Sequence, residues 1–425
     1  MGCEFQRWPE TTIRFQPKQT DRFVLGWVTL ASFLVAGCSV DASGVAAGES
    51  ILDDLPALQP VPVFELGGIE ASRYEAFSSV PPLAVSEDGT LWALDRTTNE
   101  VWRYDSTGAF VLAFGGRGEG PGEFENPLNI GLVGDTVWVR NMSPPFVTLF
   151  SPDGNALRRE VVEDWAVSRV GVPEGPEAML AGGASFSTAI VPWGEPAGVH
   201  EVALTVSSAE GAVDTLSFTR FPNAFTYPSG GFTRGGYWDL RPALHAVAPD
   251  GSGVVVAEWE EVLTGNVTLT RFGPDAEPQW KDTLHLDPVP LDGDVADSII
   301  AVAAGYVRDA VERREQSDPG STSSWPGDAE TIARDELALQ AVYPPIRSLL
   351  VALDGRIWLE RPLAPNRSEW IVLDSARTPA FRVTFPPGHE LSAASLTSAW
   401  TTHTDTLDVP YVTRYALDGV VPQAR

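Results

Sequence analysis

The sequence contains very little cysteine and very little lysine. Its two cysteines, Cys3 and Cys38, lie in or beside an N-terminal hydrophobic segment, so no disulfide framework can stabilise the rest of the 425-residue chain. Lys18 and Lys281 are the only lysines, and the formal net charge is −28. Such an acidic surface repels phosphate and releases no counterions, so we expect no nucleic-acid partner and no electrostatic docking on anionic lipid.

Recognisable catalytic and metal-binding patterns are missing as well. No Gly-x-Ser-x-Gly elbow occurs, and the histidines show neither a His-Glu-x-x-His motif nor a paired zinc spacing. The glycine-rich run at residues 115–122 lacks the Gly-Lys-Ser/Thr ending of a phosphate loop. We therefore predict no catalytic residue, no metal site and no cofactor. The histidines, interpreted as satisfied or exposed, are His200, His245, His285, His389 and His403.

The N-terminal segment predicts export. An uncharged apolar run covers residues 23–37, which is short for a membrane-spanning helix of about 20 residues but typical of a signal peptide. The run ends in Val35-Ala36-Gly37-Cys38, which resembles a bacterial lipobox. We predict a lipoprotein signal peptide over residues 1–38, with Cys38 as the lipidated residue that binds the membrane. A plain signal peptide and an uncleaved anchor are the alternatives.

The residues after Cys38 predict where the protein resides. Ser39 stands where an Asp would favour retention in the inner membrane, so the signal resembles that of an outer-membrane lipoprotein facing the periplasm or the cell surface. Residues 39–60 are rich in Ala, Gly, Asp and Pro and have little periodicity, which is typical of a flexible tether.

A repeated pattern runs through residues 61–425. An Asp/Gly turn precedes an apolar strand, often centred on Trp, and a second apolar strand follows; Trp92 to Tyr104 and Trp138 to Phe150 are both twelve residues. Copies every 40–60 residues are typical of stacked four-stranded blades, so we predict an all-β, six-bladed β-propeller. The copies begin at residues 88–94, 134–139, 178–180, 250–256, 354–359 and 405–409.

Two further patterns complete the predicted ring. Residues 63–68 resemble the blade-ending strand at 111–116, and we predict that residues 61–67 form the outermost strand of the last blade, which would remove a free sheet edge. A helical hairpin is predicted as an insertion at residues 294–342, with Asp294 capping the first helix and the second helix spanning about 328–342.

The chain also resembles a known family. Residues 114–127 resemble the inter-blade linker of NHL-repeat propellers, and residues 343–358 combine a Pro-stopped helix with a Gly-Arg-Ile-Trp blade. Across residues 61–420 the chain looks like the bacterial six-bladed β-propeller lipoproteins of uncharacterised function. The resemblance implies a fold and an export route, and it implies no activity.

Candidate ligand-binding residues come from two loops. Arg117 and Glu119 lie in the glycine-rich linker, from which they could reach the central channel. The second loop mixes aromatic, basic and glycine residues, as ligand pockets do, although such mixtures also cap blades. Its candidate residues are Arg234, Tyr237, Trp238 and Arg241.

Two classes of function remain open. The first is a binding or scaffold protein for an unidentified small molecule or protein partner. The second is a metal-dependent hydrolase or lyase with its site in the channel, since a propeller can host either function. Resemblance to calcium-dependent lactonase propellers would cast Glu258, Asn141 and Asn366 as channel ligands, but turn or blade-surface positions explain these residues better.

Overall fold

The computed structural model of the protein describes most of the chain from Leu52 onward. The described residues are 52, 54–161, 177–190, 199–222, 225–226, 232–233, 243–317, 328–337, 341–364 and 367–418. Within these ranges the protein is a propeller-type all-β structure with two α-helices, and neither helix has the length and hydrophobicity that crossing a bilayer requires.

Four sheets of the described residues each consist of four consecutive antiparallel strands. The first contains β2 (Leu83–Val85), β3 (Leu91–Asp95), β4 (Glu100–Tyr104) and β5 (Phe110–Gly115). The second contains β6 (Pro127–Val133), β7 (Thr136–Asn141), β8 (Phe146–Phe150) and β9 (Ala156–Val161). The third contains β10 (Ala178–Met179), β11 (Ser185–Ile190), β12 (Val199–Ser207) and β13 (Val213–Pro222).

A short hairpin separates the third sheet from the fourth. It pairs β14 (Phe225–Thr226) with β15 (Phe232–Thr233). The fourth sheet contains β16 (Ala243–Val247), β17 (Val254–Glu258), β18 (Asn266–Phe272) and β19 (Pro278–His285).

The remaining strands form one eight-stranded sheet. Its first part is the meander β20 (Ser348–Val351), β21 (Ile357–Ala364), β22 (Arg367–Leu373) and β23 (Pro379–Val383). Its second part, which we call the closing sheet, contains β24 (Glu390–Ala394), β25 (Ser398–Thr404), β26 (Pro410–Asp418) and β1 (Ala57–Gly67).

Strand β1 connects the two parts of the eight-stranded sheet. It pairs antiparallel with β26 from Gln59 to Gly67 and parallel with β23 at Ala57 and Leu58. The strand predicted at residues 61–67 therefore occupies the outer edge beside β26. It starts at Ala57, earlier than predicted, so residues 57–60 of the predicted tether belong to this strand.

Hairpin turns of one type join many of the strands. In the turn between β4 and β5, Gly108 donates to the carbonyl of Asp105, and the Asp105 amide donates to Ala109. Gly108 has φ 87°, a left-handed conformation that glycine adopts without steric cost. The Asp/Gly signals of the sequence mark these turns because the turn geometry demands such a residue.

Apolar clusters lie between each sheet and the next. Tryptophans of the second strands, among them Trp92, Trp138, Trp358 and Trp400, are buried in these clusters. The last cluster packs the closing sheet against the first sheet through Trp400 and Trp102. The sheets therefore follow one another around a ring, and the first and last strands of the described residues, β1 and β26, pair in the closing sheet.

The structure differs from the sequence predictions at two places. Residues 405–409, predicted to begin the sixth repeat, form the turn between β25 and β26, and the buried tryptophan of that sheet is Trp400. The second helix was predicted to reach residue 342. It ends at Leu337, and Val342 instead forms a bridge with Pro290 that closes the base of the insertion.

The insertion contains α1 (Gly293–Ser317) and α2 (Ala329–Leu337). Asp292 rather than Asp294 caps α1, because its carboxylate accepts the Asp294 amide at 2.9 Å. The predicted cap was thus two residues too late. Asp328 caps α2 by accepting the amides of Glu330 and Thr331, and these bonds hold the pKa of Asp328 below its usual value.

Candidate functional site in the central cavity

The inner strands of the sheets surround a cavity of about 320 Å³. Each meander contributes its first strand to the wall, so β2, β6, β10, β16, β20 and β24 converge on one space. The lining side chains are mostly aliphatic, and many of them also belong to the apolar clusters between neighbouring sheets. Representative lining residues are Leu83, Val85, Ile130, Met179, Val247 and Leu349.

A carboxylate and an imidazole interrupt this apolar wall. Glu177 immediately precedes β10, where its amide donates to the Phe186 carbonyl, and His245 lies in the middle of β16. His245 Nε2 is 3.0 Å from Glu177 Oε2. Both side chains retain about a third of their exposure, at 29% for His245 and 32% for Glu177. The pair therefore offers polar atoms to a molecule inside the cavity.

Neighbouring groups hold the Glu177 carboxylate in place. Thr188 donates its hydroxyl to Oε1, and Asn129 donates its amide to the Glu177 carbonyl at 3.3 Å. Burial raises the pKa of Glu177, but the hydrogen bond and charge of His245, the Thr188 hydroxyl and the charge of Arg140 outweigh it and lower the pKa overall. Glu177 is consequently ionised at neutral pH.

The ionised carboxylate orients the imidazole. Because a carboxylate only accepts hydrogen bonds, His245 presents a protonated Nε2 to Glu177. The Phe186 ring packs on the imidazole with 4.8 Å between ring centres. This arrangement suits a fixed hydrogen-bonding group for a polar atom of a ligand.

Arg117 and Glu119, predicted as channel residues, do not line this cavity. Both side chains are exposed on the loop between β5 and β6. That loop is held by its own backbone bonds and by Arg159, which donates to the carbonyls of Gly120 and Glu123 at 2.8 and 2.9 Å. The glycine-rich run thus forms a braced connection between two sheets, and its two candidate side chains are not among the residues that line the cavity.

Other predicted residues are absent from the cavity for different reasons. Glu258 accepts the Ser217 hydroxyl, and Asn141 bonds the Asn126 amide and the Pro144 carbonyl, which are structural roles. Among the residues that the structure describes, no three His, Cys, Asp or Glu side chains gather as a metal site. The predicted residues that lie outside the described ranges are Cys38, Arg234, Tyr237, Trp238, Arg241 and Asn366.

Sequence reasoning missed the Glu177–His245 pair. The two residues are 68 positions apart and belong to different sheets, so no local spacing links them. One signal was available: His245 interrupts the apolar inner strand Ala243–Val247. A polar residue in an inner strand of a ring must face either the axis or a neighbouring sheet.

Comparison with known proteins gives structural likenesses only. No protein family and no curated protein matches the sequence. A DUF4221-family protein from Bacteroides vulgatus shares 9% identity over 85% of this chain and 99% of its own, with a TM-score of 0.43. A Bacteroides fragilis protein described as exported shares 10% identity over 84% of this chain and 98% of its own, with a TM-score of 0.41.

A third solved structure is named for an enzymatic activity. Virginiamycin B lyase from Staphylococcus aureus shares 10% identity over 82% of this chain and 98% of its own, with a TM-score of 0.38. Identities this low transfer no activity to the chain.

Proposed function

We propose that the protein is an exported, lipid-anchored six-bladed β-propeller that binds a small molecule in its central cavity. The observation that carries the binding proposal is the Glu177–His245 pair, a fixed polar group in a cavity whose lining side chains are mostly apolar. Cavities with few convergent polar groups in an apolar wall are the usual form of small-molecule sites.

The strand pairing supports the count of six blades. Four sheets are four-stranded meanders, and the eight-stranded sheet divides where β1 meets β23 through only two residue pairs, Ala57 with Arg382 and Leu58 with Val383. The division leaves β20–β23 as one meander and the closing sheet as another. Six four-stranded units result.

The cavity chemistry favours a particular class of ligand. The aliphatic side chains of the wall accommodate an apolar or aromatic body, and His245 offers one hydrogen bond through Nδ1 to a polar group of the ligand. Both oxygens of Glu177 already accept hydrogen bonds, from Thr188 and His245. The carboxylate therefore orients the imidazole, which makes the direct contact.

Binding can be tested with N-phenyl-1-naphthylamine, a neutral fluorophore with an aromatic body and one N–H donor. We expect saturable fluorescence enhancement by the purified protein. Replacing His245 by Gln should weaken the apparent Kd roughly tenfold, because one hydrogen bond of about 1.4 kcal/mol is lost. Ser392→Trp, which fills the cavity from β24, should abolish the enhancement.

His285→Gln is the matched control for this experiment. His285 also faces a carboxylate, Asp287, at 3.5 Å, but on the exposed outer strand of the same sheet as His245. Binding that persists in Ser392→Trp, or an equal Kd for the His245 and His285 variants, would contradict the proposal.

The anchor is tested separately. Cys38 follows the Val-Ala-Gly sequence of a lipobox, so Cys38→Ala should remove fatty-acid labelling and release the protein from the membrane fraction. Labelling that is unchanged in this variant would show that the anchor is not on Cys38.

A further inference from the structure

Two histidines lie face to face in the closing sheet. His389 directly precedes β24, and His403 lies in β25. Their ring centres are 3.9 Å apart and their planes differ by 20°, so the rings are stacked. Tyr411 of β26 stacks on the other side of His403, with 5.0 Å between ring centres. The three rings form a ladder across strands β24, β25 and β26.

The ladder of rings lies beside β1, the strand that pairs with β26 and closes the ring. Glu65 of β1 lies 3.9 Å from His403 Nε2 and accepts the Thr413 hydroxyl at 3.0 Å. His389 Nδ1 is 2.9 Å from the Thr401 hydroxyl and 3.3 Å from the Tyr415 hydroxyl. Protonation of either imidazole would therefore change the electrostatic interactions at the pairing of β1 with β26.

The titratable and charged groups that face the histidines come from every strand packed around them. Glu65 comes from β1, Tyr411 and Tyr415 from β26, and Asp405 from the turn between β25 and β26. Tyr411 also donates to Asp405 at 3.4 Å. The two carboxylates favour protonated histidine, whereas burial and the second imidazole oppose it.

The effects that disfavour the protonated form are the larger ones, so the pKa of both histidines is lowered. Burial, with the neighbouring His403 charge, lowers the pKa of His389 to about 4 against the weaker effect of Glu65. Burial likewise lowers the pKa of His403, against Glu65 and Asp405. Both rings are neutral at pH 7, which permits the stacking.

We propose that protonation of the His389–His403 pair loosens the pairing of β1 with β26, so that the closing sheet opens in mildly acidic solution before the other sheets. Opening releases both rings into water, where they bind protons with the ordinary histidine pKa of 6.5. The stabilisation by the neutral pair is complete above pH 6.5 and is lost as the pH falls from 6.5 towards 4.

Hydrogen exchange of the whole protein at about pH 7.5 and about pH 5 tests this inference, after correction for the intrinsic exchange rates. The lower pH lies above the ordinary pKa of Asp and Glu, so the histidines dominate the change. We expect opening of residues 59–67 and 410–418 to increase roughly tenfold at the lower pH, with residues 83–115 unchanged.

His403→Gln removes one charge of the protonated pair and should reduce the pH dependence, whereas the control His285→Gln should keep it. His389→Gln provides a second variant if His403→Gln does not fold. Equal protection at both pH values, an undiminished pH response in the folded variant, or simultaneous opening of residues 83–115 would overturn the proposal.

Discussion

The first sheet and the closing sheet reach the same packing by different routes. The first sheet, β2–β5, comes from consecutive residues 83–115, whereas β1 and β26 join residues such as Glu65 and Thr413 that are 348 positions apart. Both sheets nevertheless place a buried tryptophan, Trp92 or Trp400, in their second strand. The ring therefore depends on the packing pattern of a blade and not on continuity of its chain.

The similarity extends to the contact with the following sheet. Arg103 lies over Trp92 and donates to the Pro152 carbonyl in a turn of the second sheet at 3.1 Å. Arg414 lies over Trp400 and donates to the Ser106 carbonyl in a turn of the first sheet. The closing sheet thus binds its neighbour as an ordinary blade does, and differs in its histidine ladder and its distant outer strand.

Removing the distant strand should have the largest effect. Deletion of residues 59–67 exposes the edge of β26 and removes Leu66 from the cluster between the closing and first sheets. We expect Tm to fall by more than about 10 °C in a calorimetric scan. Deletion of residues 39–51 is the control and should leave Tm within about 2 °C. Equal Tm values would show that β1 contributes nothing to closure.

Truncating either tryptophan should lower the free energy of unfolding by the same amount. Trp92 and Trp400 are 4% and 2% exposed, so truncation to Ala leaves a large cavity in each case. We expect both variants to lose about 3–5 kcal/mol in urea unfolding. A much smaller loss for Trp400→Ala would mean that the closing sheet is packed less tightly than the first sheet.

Replacing a turn glycine that lies between the closing and first sheets should lower the free energy of unfolding more than replacing a turn glycine with open space around it. A Cβ at Gly108 would meet the Phe64 ring of β1 at 2.8 Å, whereas a Cβ at Gly355 would meet nothing within 4 Å. Both residues have positive φ, so Ala costs about 1 kcal/mol at either position, and the clash should add about 1–2 kcal/mol at Gly108. Chemical denaturation of both variants measures the difference; identical values would place Phe64 away from the turn.

The smallest expected effect is electrostatic. Hydrogen bonds within their turns lower the pKa of Asp105, chiefly from the Thr107 side chain, and of Asp405, chiefly from the Val409 amide. Each carboxylate contributes stability above its ordinary pKa and loses it as the pH falls. Only Asp405 also faces His403, so His403→Gln should raise the pKa of Asp405 and leave Asp105 unchanged in an NMR titration. A shift at both residues would indicate a general change of fold.

The repeated blade pattern could be predicted because it is local. Residues Leu91 and Tyr104 pair across β3 and β4, and Val137 and Phe150 pair likewise across β7 and β8, which explains the constant spacing of twelve from Trp92 and Trp138. The candidate site could not be predicted in this way. Arg117 and Glu119 looked suitable by residue type, yet their loop is braced outside the cavity by Arg159.

The sequence by itself determined the all-β class, the helical insertion and the presence of an outer strand near residues 61–67, because strand periodicity, turn residues and helix caps act within a few residues of one another. Only the tertiary structure decided that Glu177 and His245 meet in the cavity and that Glu65 of β1 lies beside His403. Closing the ring brings together residues that are far apart in the chain, and that convergence leaves no mark in the local spacing.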